Sequence, residues 1–301
     1  MKENQNKISK SLLARIIPGL SSLTKRRGLA GKLVIFGAVL TAFIVVMTLL
    51  SPWLAPYDPS KINVGRPLTA PNSQFPLGTD NVGRDMLSRV LAGGGVMLQV
   101  AVVSVLICMI VGVPLGLFSS HTGGAVDKFL SLIMDSVYAF PGIILAIAFA
   151  IVLGRGVLNM ALSIAVVYVP SYFRVIRSQV LSIKELPYVE AATSIGAKRR
   201  TILRRYILPN VLPSIVVVAT VNFADAILTA AGLTFIGLGV PVNVPDWGWD
   251  LTNGRSLLPS GNWWVITFPG IMIILLALGF TLMGEGLSEL LNPRLEQGAE
   301  K

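Results

Sequence analysis

The chain has 301 residues, of which 53% are hydrophobic and only 13% are charged, and its formal net charge is +10 at pH 7. A soluble domain of this size carries roughly 25% charged residues, so the composition excludes an ordinary soluble protein and indicates a polytopic protein of the lipid bilayer. The single cysteine, Cys108, and the single histidine, His121, exclude an intrachain disulfide and count against a Cys/His metal site. We therefore expect neither a metal nor a cofactor bound by this chain.

Residues 1–31 form a polar, basic segment with apolar residues at helical spacing, which predicts an amphipathic helix on an anionic membrane surface. Its charged region is long, and no small-residue cleavage site follows the next apolar run. The first hydrophobic segment is therefore predicted to stay in the protein as an anchor.

Six apolar stretches are long enough to cross about 30 Å of hydrocarbon. The fourth and the fifth contain Pro170 and Pro213, which membrane helices tolerate when neighbouring groups satisfy the freed carbonyl. The predicted fold class is an all-α membrane protein with six transmembrane helices. The predicted spans are 33–50, 96–118, 129–153, 157–175, 210–232 and 263–284.

The distribution of basic residues predicts the orientation of these spans. An even number of spans places both termini on one side, and that side carries 19 Lys and Arg residues against 6 on the other. By the positive-inside rule the basic side is cytoplasmic, so topology explains the net charge without nucleic-acid binding. The chain then divides into a cytoplasmic segment 1–31, a first span with an external segment 32–95, a core 96–290 and a cytoplasmic tail 291–301.

The external segment between the first two spans is too polar to cross a membrane. Asp80 is predicted to cap a short helix that runs to Leu91. Asp85 and Arg89 lie four residues apart, in the orientation that supports such a helix.

Two carboxylates, Asp135 and Asp225, lie within predicted spans, where a charge is costly and usually faces the protein interior or a wet cavity. At 1.5 Å per residue, Asp135 reaches about the depth at which Arg174 and Arg177 end the fourth span. We predict an ion pair between Asp135 and one of these arginines, tying the third span to the fourth. For Asp225 the sequence leaves pathway lining and interhelical hydrogen bonding equally open.

The stretch 185–210 is a basic island between two apolar runs. Pro187 is suited to begin a helical turn and Gly196 to end one. The sequence thus predicts a short helix with a face of small alanine side chains, which another protein could approach closely.

The spacing of this island resembles the EAA loop of permease subunits of binding-protein-dependent ABC importers. The matching residues are Glu190, Ala191, Ala192, Gly196, Tyr206, Leu208 and Pro209. Tyr206 departs from the pattern, because an aliphatic residue or His is usual there. The resemblance implies that the loop docks into a cleft of a separate ATPase and receives the force of ATP-driven closure. The alternative is a cytoplasmic loop that is basic for topological reasons alone.

The resemblance extends over about residues 30–296 and points to the dipeptide, oligopeptide and nickel branch of these permeases. The external segment carries that branch's signature, although Gly95 and Met97 replace a common Arg and Ser. In the fifth span, Ala230 stands where the family often has a Glu. For the signature, a scaffold of the outer mouth and direct contact with a binding protein or solute both stay open. Its residues here are Gly78, Thr79, Asp80, Gly83, Arg84 and Asp85.

No phosphate-binding loop of the form Gly-x-x-x-x-Gly-Lys-Ser/Thr occurs in the sequence, and no catalytic constellation stands out. The resemblance implies a type I ABC importer permease in the plasma membrane, with ATP and Mg²⁺ bound by partner subunits. The implied partners are a second homologous permease subunit, two ATP-binding subunits and an external substrate-binding protein. An ion-gradient-driven secondary transporter, a nickel carrier and an exporter of the same family are the alternatives.

Overall fold

The computed structural model describes residues 28–241 and 243–291, so the predicted amphipathic helix before residue 28 and the tail after residue 291 lie outside the described residues. The described part is helical, with one isolated β-bridge and no named strand. Its first helices are α1 (Gly28–Leu49), α2 (Ser51–Leu54), α3 (Met86–Ala92), α4 (Gly94–Thr122), α5 (Gly124–Tyr138) and α6 (Gly142–Leu153). The others are α7 (Val157–Lys184), α8 (Pro187–Ser194), α9 (Arg199–Ile202), α10 (Leu208–Phe235), α11 (Trp247–Leu257) and α12 (Trp264–Leu290).

Among the described residues, five helices are long and apolar enough to cross a membrane, and each overlaps one of the predicted spans. Pro170 and Pro213 lie inside α7 and α10, which run through them without a break. The predicted third span, 129–153, is not one continuous helix. It consists of α5 and α6, which meet at an angle of 90°.

The break between α5 and α6 lies at Pro141. This proline has an extended backbone with a ψ of 120° and precedes the first residue of α6. A proline lacks the N–H that an uninterrupted helix needs and clashes with the carbonyl of the preceding turn. The helix therefore ends at Tyr138 and begins again in a new direction at Gly142.

Contacts between the long helices fix their relative directions. Gly37 of α1 packs against Gly279 of α12, and Gly286 packs against Ala30, so these two helices are antiparallel. The rings of Phe223 and Phe280 stack at 4.8 Å, and Gly284 packs against Val221, which makes α10 antiparallel to α12 as well. In contrast, α4 and α7 are parallel, because Gly112 packs against Tyr172 and Gly116 against Ile176.

These directions sort the connections onto two faces of the molecule. The start of α1 and the ends of α4, α7 and α12 share one face with the 185–207 connection, and we call it the loop face. The opposite face, called the far face, carries 50–93, 154–156 and 236–263. Because α4 and α7 both end at the loop face, the bent pair must return the chain to the far face. It therefore provides the sixth crossing.

Two large buried clusters fill the interior of the described part, and a small third one includes Met86 and Trp264. One of the large clusters lies toward the far face and includes Trp247, Leu233 and Met97. The other lies toward the loop face and includes Ile176, Ile207 and Val189. The second cluster combines residues of α7 and α10 with a residue of the short helix α8, and so joins the loop to the spans.

Candidate functional site

The predicted short helix in the basic island is confirmed as α8, Pro187–Ser194. Leu186 precedes it in an extended conformation, and Pro187 occupies its first turn. At its end the amide of Ala197 donates to the carbonyl of Ala192 at 3.0 Å, and Gly196 has a φ of +78°. A left-handed residue after the last turn closes a helix in this way, and glycine adopts that conformation without strain.

The two sides of α8 differ in what they contact. Val189 and Ala192 are buried, and Val189 belongs to the loop-face cluster. Glu190 and Ala191 are exposed, and Ile195 at the end of the helix is 84% exposed. The motif alanines therefore do not form a single outward face, because Ala192 anchors the helix while Ala191 belongs to its free surface.

The second half of the motif holds α8 in place through side-chain contacts. Leu208 and Pro209 form the first turn of α10, after a π-helical turn at Leu203–Ile207. The ring of Tyr206 lies 6.2 Å from that of Tyr188, and the side-chain amide of Asn210 donates to the Tyr188 hydroxyl at 3.2 Å. The departure at Tyr206 thus supplies an aromatic contact that holds α8.

The loop is also tied to the end of α4. The ammonium group of Lys184, at the end of α7, donates to the backbone carbonyls of Ser120 and His121. A cation at a helix C-terminus satisfies carbonyls that lack a partner within the helix. Between this tie and α8 lies a cleft of about 560 Å³, which is lined in part by Glu190 and Arg199.

The predicted ion pair of Asp135 is confirmed with Arg174, whose Nη2 lies 2.8 Å from Asp135 Oδ1. Both side chains are more than half exposed. Arg177, the other predicted partner, binds Asp127 through two hydrogen bonds of 2.7 and 2.6 Å. Ser119 of α4 donates to the same Asp127 carboxylate at 2.6 Å, so this less exposed group joins three helices.

Asp225 lies at a cavity of about 340 Å³ enclosed by the bent pair, α7 and α10. Tyr138, Tyr168, Ser171 and Asn222 also line it. Within the described residues no hydrogen bond or ion pair of Asp225 is formed, unlike Asp135. Asp135 is therefore ion-paired, whereas Asp225 has no charged partner among the described residues, although both carboxylates lie within predicted spans.

On the far face the signature segment is folded tightly upon itself. Thr79 donates to the carbonyl of Arg66 at 2.6 Å, and Gly83, at a φ of +73°, leaves no room for a Cβ against the carbonyl of Gly65. Asp80 accepts from the Arg84 guanidinium at 2.5 Å and from the amide of Val82. Gly78 and Asp85 belong to the same compact turn, in which the carbonyl of Gly78 accepts from Met86.

The predicted cap at Asp80 is wrong, since α3 begins at Met86 and Asp85 is its cap. Asp85 accepts from the amide and the hydroxyl of Ser88. Arg89, four residues after Asp85, is buried and binds Asp250 of α11 at 2.6 Å. A partner that is fully buried and remote in sequence replaces the local one.

Further contacts join the far-face segment before α4 to the 236–263 connection and to the start of α12. The indole of Trp247 donates to the carbonyl of Val90 at 2.8 Å, and that of Trp264 donates to the carbonyl of Thr79 at 3.0 Å. Asp246 caps α11 by accepting from the amide of Gly248. Burial, opposed by that hydrogen bond and reinforced by the charge of Asp250, raises the pKa of Asp246 to about 6.

Comparison with known families is decisive for the class of protein. The family described as "Binding-protein-dependent transport system inner membrane component" matches residues 112–297, which contain α8, the bent pair and Asp225. The chain belongs to this family. A second family, "N-terminal TM domain of oligopeptide transport permease C", matches residues 23–71 of the permease. The branch inferred from the motifs is thereby confirmed.

Several relatives match the permease along most of its length. The "Probable D,D-dipeptide transport system permease protein DdpC" of Escherichia coli (strain K12) is 39% identical over 262 residues, which cover 87% of this chain and 88% of the relative. The "Dipeptide transport system permease protein DppC" of Alkalihalophilus pseudofirmus is 37% identical, covering 88% and 87%. The "Glutathione transport system permease protein GsiD" of Pectobacterium atrosepticum is 36% identical, covering 90% of each chain.

A solved structure supports the fold. The chain titled "Inward facing conformations of the MetNI methionine ABC transporter: CY5 SeMet soak crystal form" matches with a TM-score of 0.55 and 20% identity. The match covers 69% of the permease and 98% of that chain. The type I importer permease fold expected from the sequence is therefore confirmed.

Three groups of the permease escaped the sequence reasoning. The Asp127–Arg177 contact was missed because Arg177 was considered only as a partner of Asp135. Asp246 and Asp250 gave no local signal of their burial, since the ion-pair partner of Asp250 is Arg89, 161 residues earlier in the sequence. The exposure of Ile195 could have been predicted from the sequence. This isoleucine directly precedes the helix-ending Gly196 and lies outside the apolar pattern of the helix.

Proposed function

We propose that this permease is one of two related subunits that together form the translocation pathway of an ATP-driven importer for small peptides. Support for the substrate class comes from its relatives, whose names specify dipeptide and glutathione transport. The expected partners are a homologous permease, two ATP-binding subunits that hold ATP and Mg²⁺, and an external binding protein that delivers the solute.

The observation that carries this proposal is the construction of α8. Its buried side is fixed to the loop-face cluster through Val189, and Ala192 is buried beside it, while Glu190, Ala191 and the following Ile195 are exposed. A small helix that is rigidly joined to the spans and exposed on its other side is suited to carry force from a partner into the membrane part. We assign this free side to the ATPase cleft.

In this proposal the loop face is cytoplasmic. The basic residues concentrated there favour that orientation by the positive-inside rule, and an ATPase meets its nucleotide on the same side. Both termini are then cytoplasmic and the far face is external, where its compact signature segment supports the mouth of the pathway.

ATP-driven closure of the two ATPase subunits draws the coupling helices together, and the pathway changes from inward-facing to outward-facing. Such a change requires contacts that differ between the two states. The ties of Lys184 to α4 and of Val189 to α7 and α10 give a route by which displacement of α8 moves three spans together.

Substituting Gly196 tests the coupling role. Gly196→Ala places a Cβ in open space at a φ of +78°, so its cost is the backbone strain of about 1–2 kcal/mol alone. We expect weaker retention of the ATP-binding subunits during purification and a several-fold lower rate of ATP-dependent dipeptide uptake. Glu190→Ala should act in the same direction.

Gly261→Ala is the matched control, because Gly261 has a φ of +80° and equally open surroundings but lies on the far face. Its variant should retain both the partner subunits and uptake. Equal losses in the two glycine variants would refute the coupling role of α8. Uptake that follows an ion gradient in the absence of any ATPase would instead establish a secondary transporter.

A further inference from the structure

The cavity beside the bent pair is a recess with polar groups on its wall that reaches into the middle of the spans. Its walls come from the turn between α5 and α6, from α7 and from α10. The break at Pro141 opens it, since a straight helix would carry the chain past α7 without the 90° change in direction. A volume of about 340 Å³ falls within the range of small-molecule pockets, which is roughly 300–1,000 Å³.

Asp225 lies in this cavity without a counter-charge from the described residues. Tyr168 faces the same space, but its hydroxyl is 3.0 Å from the hydroxyl of Thr229 and is engaged there. Asn222, one helical turn before Asp225, adds a polar amide and no charge. A carboxylate half-buried at membrane depth is costly, and such groups usually mark a pathway or a ligand.

The neighbouring charges do not compensate Asp225. Arg174 is the nearby cation of α7, but it binds Asp135 at 2.8 Å and its guanidinium lies over the ring of Tyr138, 4.3 Å from the centroid. That pair is neutral and lies outside the lining of the cavity. The recess therefore carries one uncompensated negative charge, flanked by the aromatic ring of Tyr168.

We propose that this cavity is a subsite of the translocation pathway that binds the protonated amino group of a transported solute, with Asp225 as its counter-ion. This inference rests on the proposed function, since it needs the cavity to lie on the pathway. An ammonium group fits a single carboxylate beside an aromatic face, because both attract a cation that has lost part of its water. A divalent metal fits poorly, since the described residues hold no group of three metal-binding side chains.

The charge preference of the cavity is measured with Ser171→Cys, which places a thiol on its wall. The native Cys108 is 1% exposed and gives little background reaction. In the assembled transporter, the thiol is modified with 2-aminoethyl methanethiosulfonate, which is cationic, and with the neutral propyl reagent. We expect the ratio of the two rates to fall on the order of tenfold when Asp225→Asn is added, as loss of one charge-assisted contact implies.

The double variant Asp135→Asn/Arg174→Gln is the matched control, because it removes a carboxylate together with its own cation, and neither side chain lines the cavity. It should leave the rate ratio unchanged. Dialanine at millimolar concentration should slow modification of the Ser171→Cys thiol, whereas N-acetyl-dialanine, which lacks the ammonium group, should not. Asp225→Asn should abolish this protection, and Asp225→Glu should preserve it.

An unreactive thiol, a rate ratio that is insensitive to Asp225→Asn, or equal protection by the two peptides would each overturn the subsite. The stability of the variants is checked by the yield of assembled transporter and by its ATPase activity. Failure of the proposed function has a different signature, namely that the unmodified transporter shows no ATP-dependent uptake of dialanine.

Discussion

The buried carboxyl of Asp246, on the far face, makes the stability of the protein depend on pH. It is fully buried at the start of α11, and burial raises its pKa to about 6 from an ordinary value of 3.8. Between these two pH values the folded state binds more protons than the unfolded state, so stability falls as pH rises. The protonated carboxyl of Asp246 thus makes its full contribution to the free energy of unfolding below about pH 4. This contribution is lost once the pH exceeds about 6, where the carboxyl is ionised in the folded state too.

Asp246→Asn should remove this loss. Asparagine retains the oxygen that accepts from Gly248 and is an equally good helix cap. We expect the variant to unfold at a higher temperature than the wild type near neutral pH, by an amount equivalent to at most about 3 kcal/mol, and the difference to shrink toward about pH 4. Thermal unfolding of the purified transporter at several pH values measures it.

Asp58→Asn serves as its control, since Asp58 is an exposed carboxylate of the same face. A stability difference of Asp246→Asn that stays constant with pH would show that the carboxyl does not titrate in this range.

Two ion pairs connect α5 to α7, and the structure predicts that they differ in importance. Asp127 accepts two hydrogen bonds from Arg177 and one from Ser119, and its side chain is 13% exposed. Asp135 accepts one hydrogen bond from Arg174, and both side chains are more than half exposed. We expect Asp127→Asn to destabilise the protein by about 1.5–3 kcal/mol and Asp135→Asn by about 0–1 kcal/mol.

Thermal unfolding of the two single variants, measured side by side, tests this ranking. The double variant Asp127→Asn/Arg177→Gln should lose less than the sum of its single changes, because the charges are removed together. A larger loss from Asp135→Asn would mean that its pair is covered by a partner chain in the assembled transporter.

The sequence predicted the elements whose signals are local. Hydropathy predicted the spans, and Pro187 and Gly196 predicted the two ends of α8. Both predictions succeeded because each depends on residues that are close together in the sequence. The i, i+4 spacing of Asp85 and Arg89 was also local, but burial of Arg89 against Asp250, 161 residues later, outweighed it. Contacts at such separation depend on how the spans are arranged, which local patterns do not contain.

The break at Pro141 was only partly predictable from the local sequence. A proline within an apolar run is compatible with a continuous helix, as Pro170 and Pro213 show. Its effect depends on whether neighbouring groups satisfy the freed carbonyl. Hydropathy therefore predicted one crossing correctly and missed its 90° bend, and with it the cavity at Asp225.

For the whole molecule, the division into two faces makes the orientation directly measurable. Ile195 on the loop face is 84% exposed and Ile62 on the far face is 57% exposed, so the variants Ile195→Cys and Ile62→Cys form a matched pair. A membrane-impermeant thiol reagent added to intact cells should label only Ile62→Cys. In inverted vesicles from cells that lack the ATP-binding subunits, which would otherwise cover α8, only Ile195→Cys should react.

The single native thiol is buried in both experiments, so the wild type provides the blank. Labelling of Ile195→Cys in intact cells would place α8 outside the cell and end the assignment of an ATPase to it.

The close contact between α1 and α12 has a consequence for how the protein could be reshaped. Gly37 and Gly279 let the two backbones touch, and Gly286 brings the last turn of α12 against Ala30 near the start of α1. The first and last described turns are thus neighbours, and a short artificial linker could join them into a ring. New ends could then be opened at the 154–156 turn, giving a circularly permuted permease whose tags emerge from the other side of the membrane.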